Sequence, residues 1–248
     1  MATIARAAGH AARAAAEVVY PPACLTCDAR IAGGGTLCSD CWAEAPFVRG
    51  AACDRCGVPL AVEARAVHWC DPCHAEPPDW DRARAVFAYE GRARQVVLRL
   101  KHGDRPELSA PAGNWMAEWA ADLLGPGTLV VPVPLHPLRF WRRRYNQAAL
   151  LAARLARRAG VEHCPDALVR TRRTPLLRGH GARARAEALD GAVAAHAARG
   201  ARMAGRDVLL VDDVLTTGAT LGACARAARG AGAARVDVCV LARAARDL

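Results

Sequence analysis

The run Val208-Leu209-Leu210-Val211-Asp212-Asp213-Val214-Leu215-Thr216-Thr217-Gly218-Ala219-Thr220 constrains this chain more than any other. Four consecutive apolar residues predict a strand buried on both faces, the kind found in helix-covered parallel sheets. Two carboxylates follow where that strand is expected to end. A hydroxyl-rich turn with one glycine comes next, and Leu221 to Ala231 reads as an Ala-rich helix. Strand, acidic pair, loop and helix together describe a site for a phosphorylated sugar. Backbone N–H groups at a helix N-terminus bind phosphate, and threonine hydroxyls add donors. Gly218 lets the backbone approach closely. Asp212 and Asp213 do not favour phosphate; they suit ribose hydroxyls or a Mg²⁺ complex. An ordinary βα turn with a threonine cap accounts for the hydroxyls but not for two adjacent acids.

The second constraint is the cysteines. Eight of the eleven form Cys-x-x-Cys pairs: Cys24/Cys27, Cys38/Cys41, Cys53/Cys56 and Cys70/Cys73. Each pair is a knuckle that offers two thiolates to one metal, and two knuckles complete a tetrahedral zinc site. Two structural Zn²⁺ sites are therefore expected, with no open position for catalysis. Disulfides or redox pairs fit four evenly deployed knuckles less well. Sequential pairing makes two zinc ribbons; an interleaved cross-brace uses the same residues, and both remain open here. Gly33 to Gly35 and Gly57 fall where tight turns follow a knuckle. His68 and His74 flank the last knuckle as bystanders. Cys164, Cys224 and Cys239 are unpaired in spacing, the last two reading as small core residues.

With 248 residues the chain is long enough for a full α/β core plus a small accessory module. Its net charge of +10 favours an anionic partner. Of 34 basic residues only Lys101 is lysine, so the excess is a general one of arginine. No apolar run reaches eighteen residues, so no membrane span is expected. Arg6, Arg13 and Glu17 interrupt the first twenty residues, which read as a helix rather than a secretory leader. A cytoplasmic location is the expectation.

Beyond Pro77-Pro78, strands are expected at Ala85–Tyr89, Leu129–Pro134 (ending near Pro132), Asp166–Arg170, Val208–Asp213 and Val236–Leu241. Helices are expected at Arg94–His102, Leu108–Leu124 and Ala148–Ala159, with Lys101 to Arg105 as a polar loop. Trp115 and Trp119 share a helix face as core residues. Strands alternating with helices imply a parallel sheet with ligands at its carboxyl edge. The expected organisation is an N-terminal helix (1–20), a double zinc ribbon (21–80) and an α/β domain (81–248).

At 208–220 the chain resembles the phosphoribosyl-pyrophosphate (PRPP) signature of type I phosphoribosyltransferases. Together with the four knuckles and Val131-Pro132-Val133-Pro134-Leu135-His136-Pro137, it resembles the ComF family of competence-associated phosphoribosyltransferase-like proteins. That resemblance implies a type I phosphoribosyltransferase-like parallel sheet flanked by helices, behind a small cysteine-rich zinc-ribbon module. It implies that Thr216, Thr217, Gly218, Ala219 and Thr220 hold the 5′-phosphate of PRPP and that Asp212 and Asp213 are catalytic at the ribose. Pro134, Leu135 and His136 belong to a pyrophosphate loop, followed by Arg139, Arg142, Arg143 and Arg144 and then Tyr145-Asn146-Gln147. Arginine forks suit pyrophosphate. Lys101 stands near the substrate.

The implied activity is Mg²⁺-dependent phosphoribosyl transfer with release of pyrophosphate. The alternative is a PRPP-binding protein without turnover that handles single-stranded DNA, or docks on a partner of the DNA-uptake machinery. Residues 171–191 correspond to a lid in which Leu177, Ala182 and Ala188 replace polar residues usual in relatives.

Overall fold

A computed structural model of the chain describes residues 23–31, 36–62, 67–102, 105–135, 145–172 and 191–245. The expected N-terminal helix and the glycines at 33–35 lie outside the described residues. The chain forms two compact units, Met1–Ala45 and Pro46–Leu248.

In the first unit the backbone folds back at Cys24, whose N–H donates to the Ala29 carbonyl at 2.8 Å. Asp28 takes φ +58° there, a value that Asp tolerates better than most side chains. Helix α1 (Ser39–Ala43) starts on Cys38 and buries Cys41.

The second unit repeats that motif and then builds the sheet. Cys53 N–H donates to the Val58 carbonyl at 2.8 Å, and Gly57 (φ +71°) stands where Asp28 stood. Helix α2 (Asp71–Ala75) starts on Cys70 and buries Cys73. Strand β1 (Ala83–Ala88) follows, then helix α3 (Gly91–His102), a short 3-10 turn at Pro106–Leu108, and helix α4 (Ser109–Trp119). Next come β2 (Leu129–Pro132), α5 (Gln147–Ala159), β3 (Glu162–His163), β4 (Leu168–Arg170) and β5 (Val193–Ala195). Strand β6 (Asp207–Leu215), helix α6 (Ala219–Gly230) and β7 (Arg235–Arg243) complete the chain.

Five strands form one sheet in the order β1-β7-β6-β2-β3, all parallel. Strands β4 and β5 make a separate antiparallel pair. The alternation of the central strands divides the core. Val208, Leu210, Val236 and Val238 pack with Leu221, Ala225 and Ala228 of α6. Residues of opposite parity face α4, where the Cys239 thiol donates to the Met116 carbonyl at 3.7 Å. Helices α4 and α5 pack together so closely at Gly113 that a Cβ there would stand 2.6 Å from Arg154 Cβ.

Several boundaries differ from the sequence expectations: β1 spans Ala83–Ala88 rather than Ala85–Tyr89, and β7 runs to Arg243 rather than Leu241. Lys101 is not in a loop but in the last turn of α3, because the helix that the apolar spacing predicts runs on to His102. The expected helix Leu108–Leu124 is shorter: Leu108 closes the 3-10 turn, and the chain leaves α-helical geometry at Ala120, ahead of Gly125-Pro126-Gly127. Strand β6 runs through both acids to Leu215 because β7 stays paired with it as far as Leu215↔Arg243. Trp115 is buried and Trp119 half-buried in an aromatic cluster with Phe47 and Phe87, ring centroids 4.6–6.0 Å apart. Cys164, Cys224 and Cys239 are fully buried. No helix among the described residues is long and apolar enough to cross a membrane.

Candidate functional site

The sheet opens where β2 stops. The register of β2 against β6 ends at Pro132↔Val211, and the Val133 N–H makes the last bond of that ladder, to the Val211 carbonyl at 2.9 Å. Among the described residues β6 has no further strand partner on that side over Asp212 to Leu215, with β7 still paired on the other. Asp212 and Asp213 occupy this stretch, so they stand at the carboxyl edge of the sheet, the usual ligand position in such folds.

The two acids point to opposite faces, as consecutive strand residues must. Asp213, 7 % exposed, faces α3 and pairs with Lys101, whose Nζ lies 3.0 Å from Asp213 Oδ1. Asp212 lies on the α6 side, half-buried, and its Oδ1 accepts the N–H of Asp213 at 2.8 Å. Desolvation raises the Asp212 carboxyl to about 7, the charge of Asp213 adds to this, and Lys101 works against it.

Directly after β6, Thr216 is exposed and Thr217 to Thr220 are half-buried. Gly218 caps α6 with φ +85°. Its carbonyl accepts the Gly222 N–H at 2.7 Å, starting the helix. The preceding N–H groups of α6 have no partner within the helix and carry its positive dipole end.

Two side chains reach this edge from the start of α5. The Tyr145 hydroxyl donates to the Leu100 carbonyl at 2.9 Å, which lies in the last turn of α3, where carbonyls have no helical acceptor role to fill. Asn146 accepts from Ala148 N–H as the cap of α5 and donates through Nδ2 to the Val133 carbonyl at 3.1 Å. Lys101, the end of β2 and the start of α5 are thus held together by two adjacent residues. Pro134 is buried and Leu135 half-buried just beyond β2.

The cysteines form two tetrads, Cys24/Cys27/Cys38/Cys41 and Cys53/Cys56/Cys70/Cys73, each with ligand atoms within 4.8 Å of one another. Pairing is therefore sequential, not interleaved. Tetrahedral Zn–S bonds of 2.3 Å put sulfurs about 3.8 Å apart. Cys27 and Cys38 Sγ lie 3.7 Å apart, and Cys56 and Cys70 Sγ 3.6 Å. In both tetrads the N–H at the second knuckle donates to the first sulfur at 3.3 Å, Cys38 to Cys24 and Cys70 to Cys53. Geometry and donor set fit zinc. His68 and His74 supply no ligand in either tetrad; His74 packs on Trp69.

Comparison with known proteins matches residues 15–75 to the double zinc ribbon domain and residues 146–248 to the phosphoribosyl transferase domain. The DNA utilization protein YhgH of Escherichia coli K12 is 31% identical over 233 residues, covering 91% of this chain and 99% of its own. Its counterpart in Salmonella typhimurium is 32% identical, over 84% of this chain and 90% of its own. Competence protein F of Haemophilus influenzae is 29% identical, over 89% and 96%. The chain belongs to the ComF family.

Within this ComF chain, Asp212, Asp213, Lys101, Thr216 to Thr220, Pro134 and Leu135 cluster near the end of β6 or just beyond β2. His136, Arg139, Arg142, Arg143 and Arg144 lie outside the described residues, as do Leu177, Ala182 and Ala188. Sequence reasoning missed the supports of the loop. Arg243, 2 % exposed, donates from Nη1 to the carbonyls of Leu215 and Thr216, each at 3.0 Å. An arginine directly after the apolar run Val238–Ala242 was the available signal. Trp80 is buried against Gly218, and its setting between two aspartates gave no signal of that.

Proposed function

We propose that the chain binds PRPP at the carboxyl edge of β6 and transfers its phosphoribosyl group with release of pyrophosphate. One observation carries this reading: adjacent acids, one paired with the sole lysine, open directly into a threonine loop that starts a helix. The loop N–H groups and hydroxyls take the 5′-phosphate. Asp212 and Asp213 take the ribose hydroxyls, and they offer the oxygen ligands that a hard cation requires. Mg²⁺ bound with pyrophosphate supplies positive charge to the leaving oxygens.

The chain's own contribution is positioning and charge placement. Lys101 offsets the charge of Asp213 and is itself set by the Tyr145 contact at Leu100. Asp212 changes ionisation near neutrality, so above pH 7 it accepts from a ribose hydroxyl as a carboxylate. Loss of pyrophosphate leaves an oxocarbenium-like sugar, which a nitrogen nucleophile attacks at C1. No covalent nucleophile is required.

The relatives named for DNA utilization and competence support placing this activity in DNA handling. The same names favour a second reading, a PRPP-binding protein without turnover that grips single-stranded DNA. Calorimetric titration of PRPP tests the site. Asp212→Asn combined with Asp213→Asn should abolish binding while circular dichroism stays unchanged; retained affinity overturns the assignment. Pyrophosphate release across a panel of purine and pyrimidine bases separates the readings, since silence with every base favours the second.

A further inference from the structure

The second cysteine tetrad is not a free appendage, because its knuckle is built into the sheet domain. Asp54, between Cys53 and Cys56, pairs with Arg82 at 3.1 Å and Arg84 at 2.8 Å, both flanking or within β1. Its carbonyl accepts the Ala83 N–H at 2.8 Å. Gly57 lies so near β1 that a Cβ there would stand 3.2 Å from Ala85 N. Cys53, Cys56 and Cys73 share one buried cluster with Trp80, Leu215 and Leu221.

Two paths lead from this tetrad to the threonine loop. The first runs through Trp80. Its indole N–H donates to the carbonyl of Arg55, the residue before Cys56, at 2.6 Å. The far edge of the same ring lies against Gly218: a Cβ there would meet Trp80 Cη2 at 2.8 Å. The indole is pinned on both sides, by Asp79 paired to Arg226 of α6 and by Asp81 paired to Arg229 at 2.8 Å. Asp81 also accepts the Val236 N–H at 2.9 Å.

The second path runs through Arg243. Its guanidinium is buried, holds the Leu215 and Thr216 carbonyls, and has no carboxylate partner among the described residues. A buried cation needs compensation. Arg243 lines a cavity of about 420 Å³ together with Cys56, Cys70 and Cys73. Four thiolates on one Zn²⁺ would carry a net charge of −2, which would compensate the guanidinium across this cavity.

We propose that the second zinc ribbon sets the conformation of the phosphate loop, with Trp80 and Arg243 as the positioning residues that connect them. The reading of Thr216–Thr220 as the PRPP loop underlies this. Coupling between two sites is reciprocal, so PRPP and metal must stabilise each other.

Three measurements on the full chain test it. Chelator-driven zinc release is followed with and without PRPP; one of the two ions should leave several-fold more slowly when PRPP is present. Trp80→Phe keeps a ring and loses the indole N–H, and Arg243→Gln removes the charge. Each should weaken PRPP binding by about five- to tenfold with both zinc ions retained, the scale of one lost hydrogen bond or charge contact. Arg243→Lys should recover part of that loss.

Amide exchange at residues 216–220 supplies a readout independent of PRPP and should accelerate in both variants and on chelation. Unchanged exchange and unchanged affinity in the variants overturn the coupling. Faster loop exchange in a wild-type chain that shows no PRPP affinity upholds the coupling and overturns the PRPP reading instead.

Discussion

Asp212 shows how a single residue can be costly to the fold and still be placed with purpose. Burial and its neighbour Asp213 push its carboxyl up to about 7, from a value near 3.9 in an unfolded chain. A carboxyl whose pKa rises on folding does not destabilise below its unfolded value. The cost grows as pH climbs through 4 and is complete above 7. Asp212→Asn should therefore raise thermal stability at pH 8 by about 1–3 kcal/mol and leave it unchanged near pH 4. Unfolding midpoints measured across that range check the sign. A wild-type residue that destabilises its own fold at neutral pH is typical of a site built to hold a ligand.

Lys101 and Arg243 make the complementary point. The lone lysine was visible at once, but only the fold shows that its ammonium reaches Asp213 from a helix more than a hundred residues earlier. Arg243 in a valine-rich strand could be seen as odd, yet its target, the carbonyls at Leu215 and Thr216, lies on the neighbouring strand.

Among elements, the junction of β6 and α6 is the most demanding. Gly218 combines φ +85° with the Trp80 ring 2.8 Å from any added Cβ. Gly218→Ala meets both obstacles. Left-handed backbone alone costs a non-glycine residue roughly 1–2 kcal/mol, and the buried indole must move as well. The variant should lose at least that much stability in denaturant melts and bind PRPP at least tenfold more weakly by calorimetry.

The two knuckle motifs illustrate what an internal repeat preserves. Asp28 and Gly57 occupy the same left-handed position, and Cys24 and Cys53 accept the same N–H bond at the same distance. The expected tight turn after each knuckle was legible at Gly57 from composition. At Asp28 it was not, because an aspartate in left-handed geometry looks like any polar loop residue.

At the scale of the whole molecule, zinc is a structural requirement. Without metal the clustered thiols would form no bond that ties the two knuckles of a tetrad together. Elemental analysis of purified protein should give close to two zinc ions per chain, and iron or no metal would contradict the tetrads. Stripping the metal should unfold the first unit, Met1–Ala45, as small zinc modules do. It should also destabilise the second unit, where Cys53, Cys56 and Cys73 lie in the main core.

The sequence by itself determined much of the architecture: two sets of zinc-ligand cysteines, a parallel sheet, and an acidic pair leading into a threonine loop and a helix. These are properties of local spacing and periodicity, and local spacing survives without knowing the fold. Only the tertiary structure decided the pairing of the knuckles, the extension of β6 through both acids, and the pairing of Lys101 with Asp213. It alone brought the second ribbon and the threonine loop together around Trp80 and Arg243. Those features depend on which strand stops first and which segments, far apart in the chain, are pressed together. The β2 ladder ends with the Val133 N–H on the Val211 carbonyl while β7 stays paired to Leu215, and the acids lie on the stretch between those two ends.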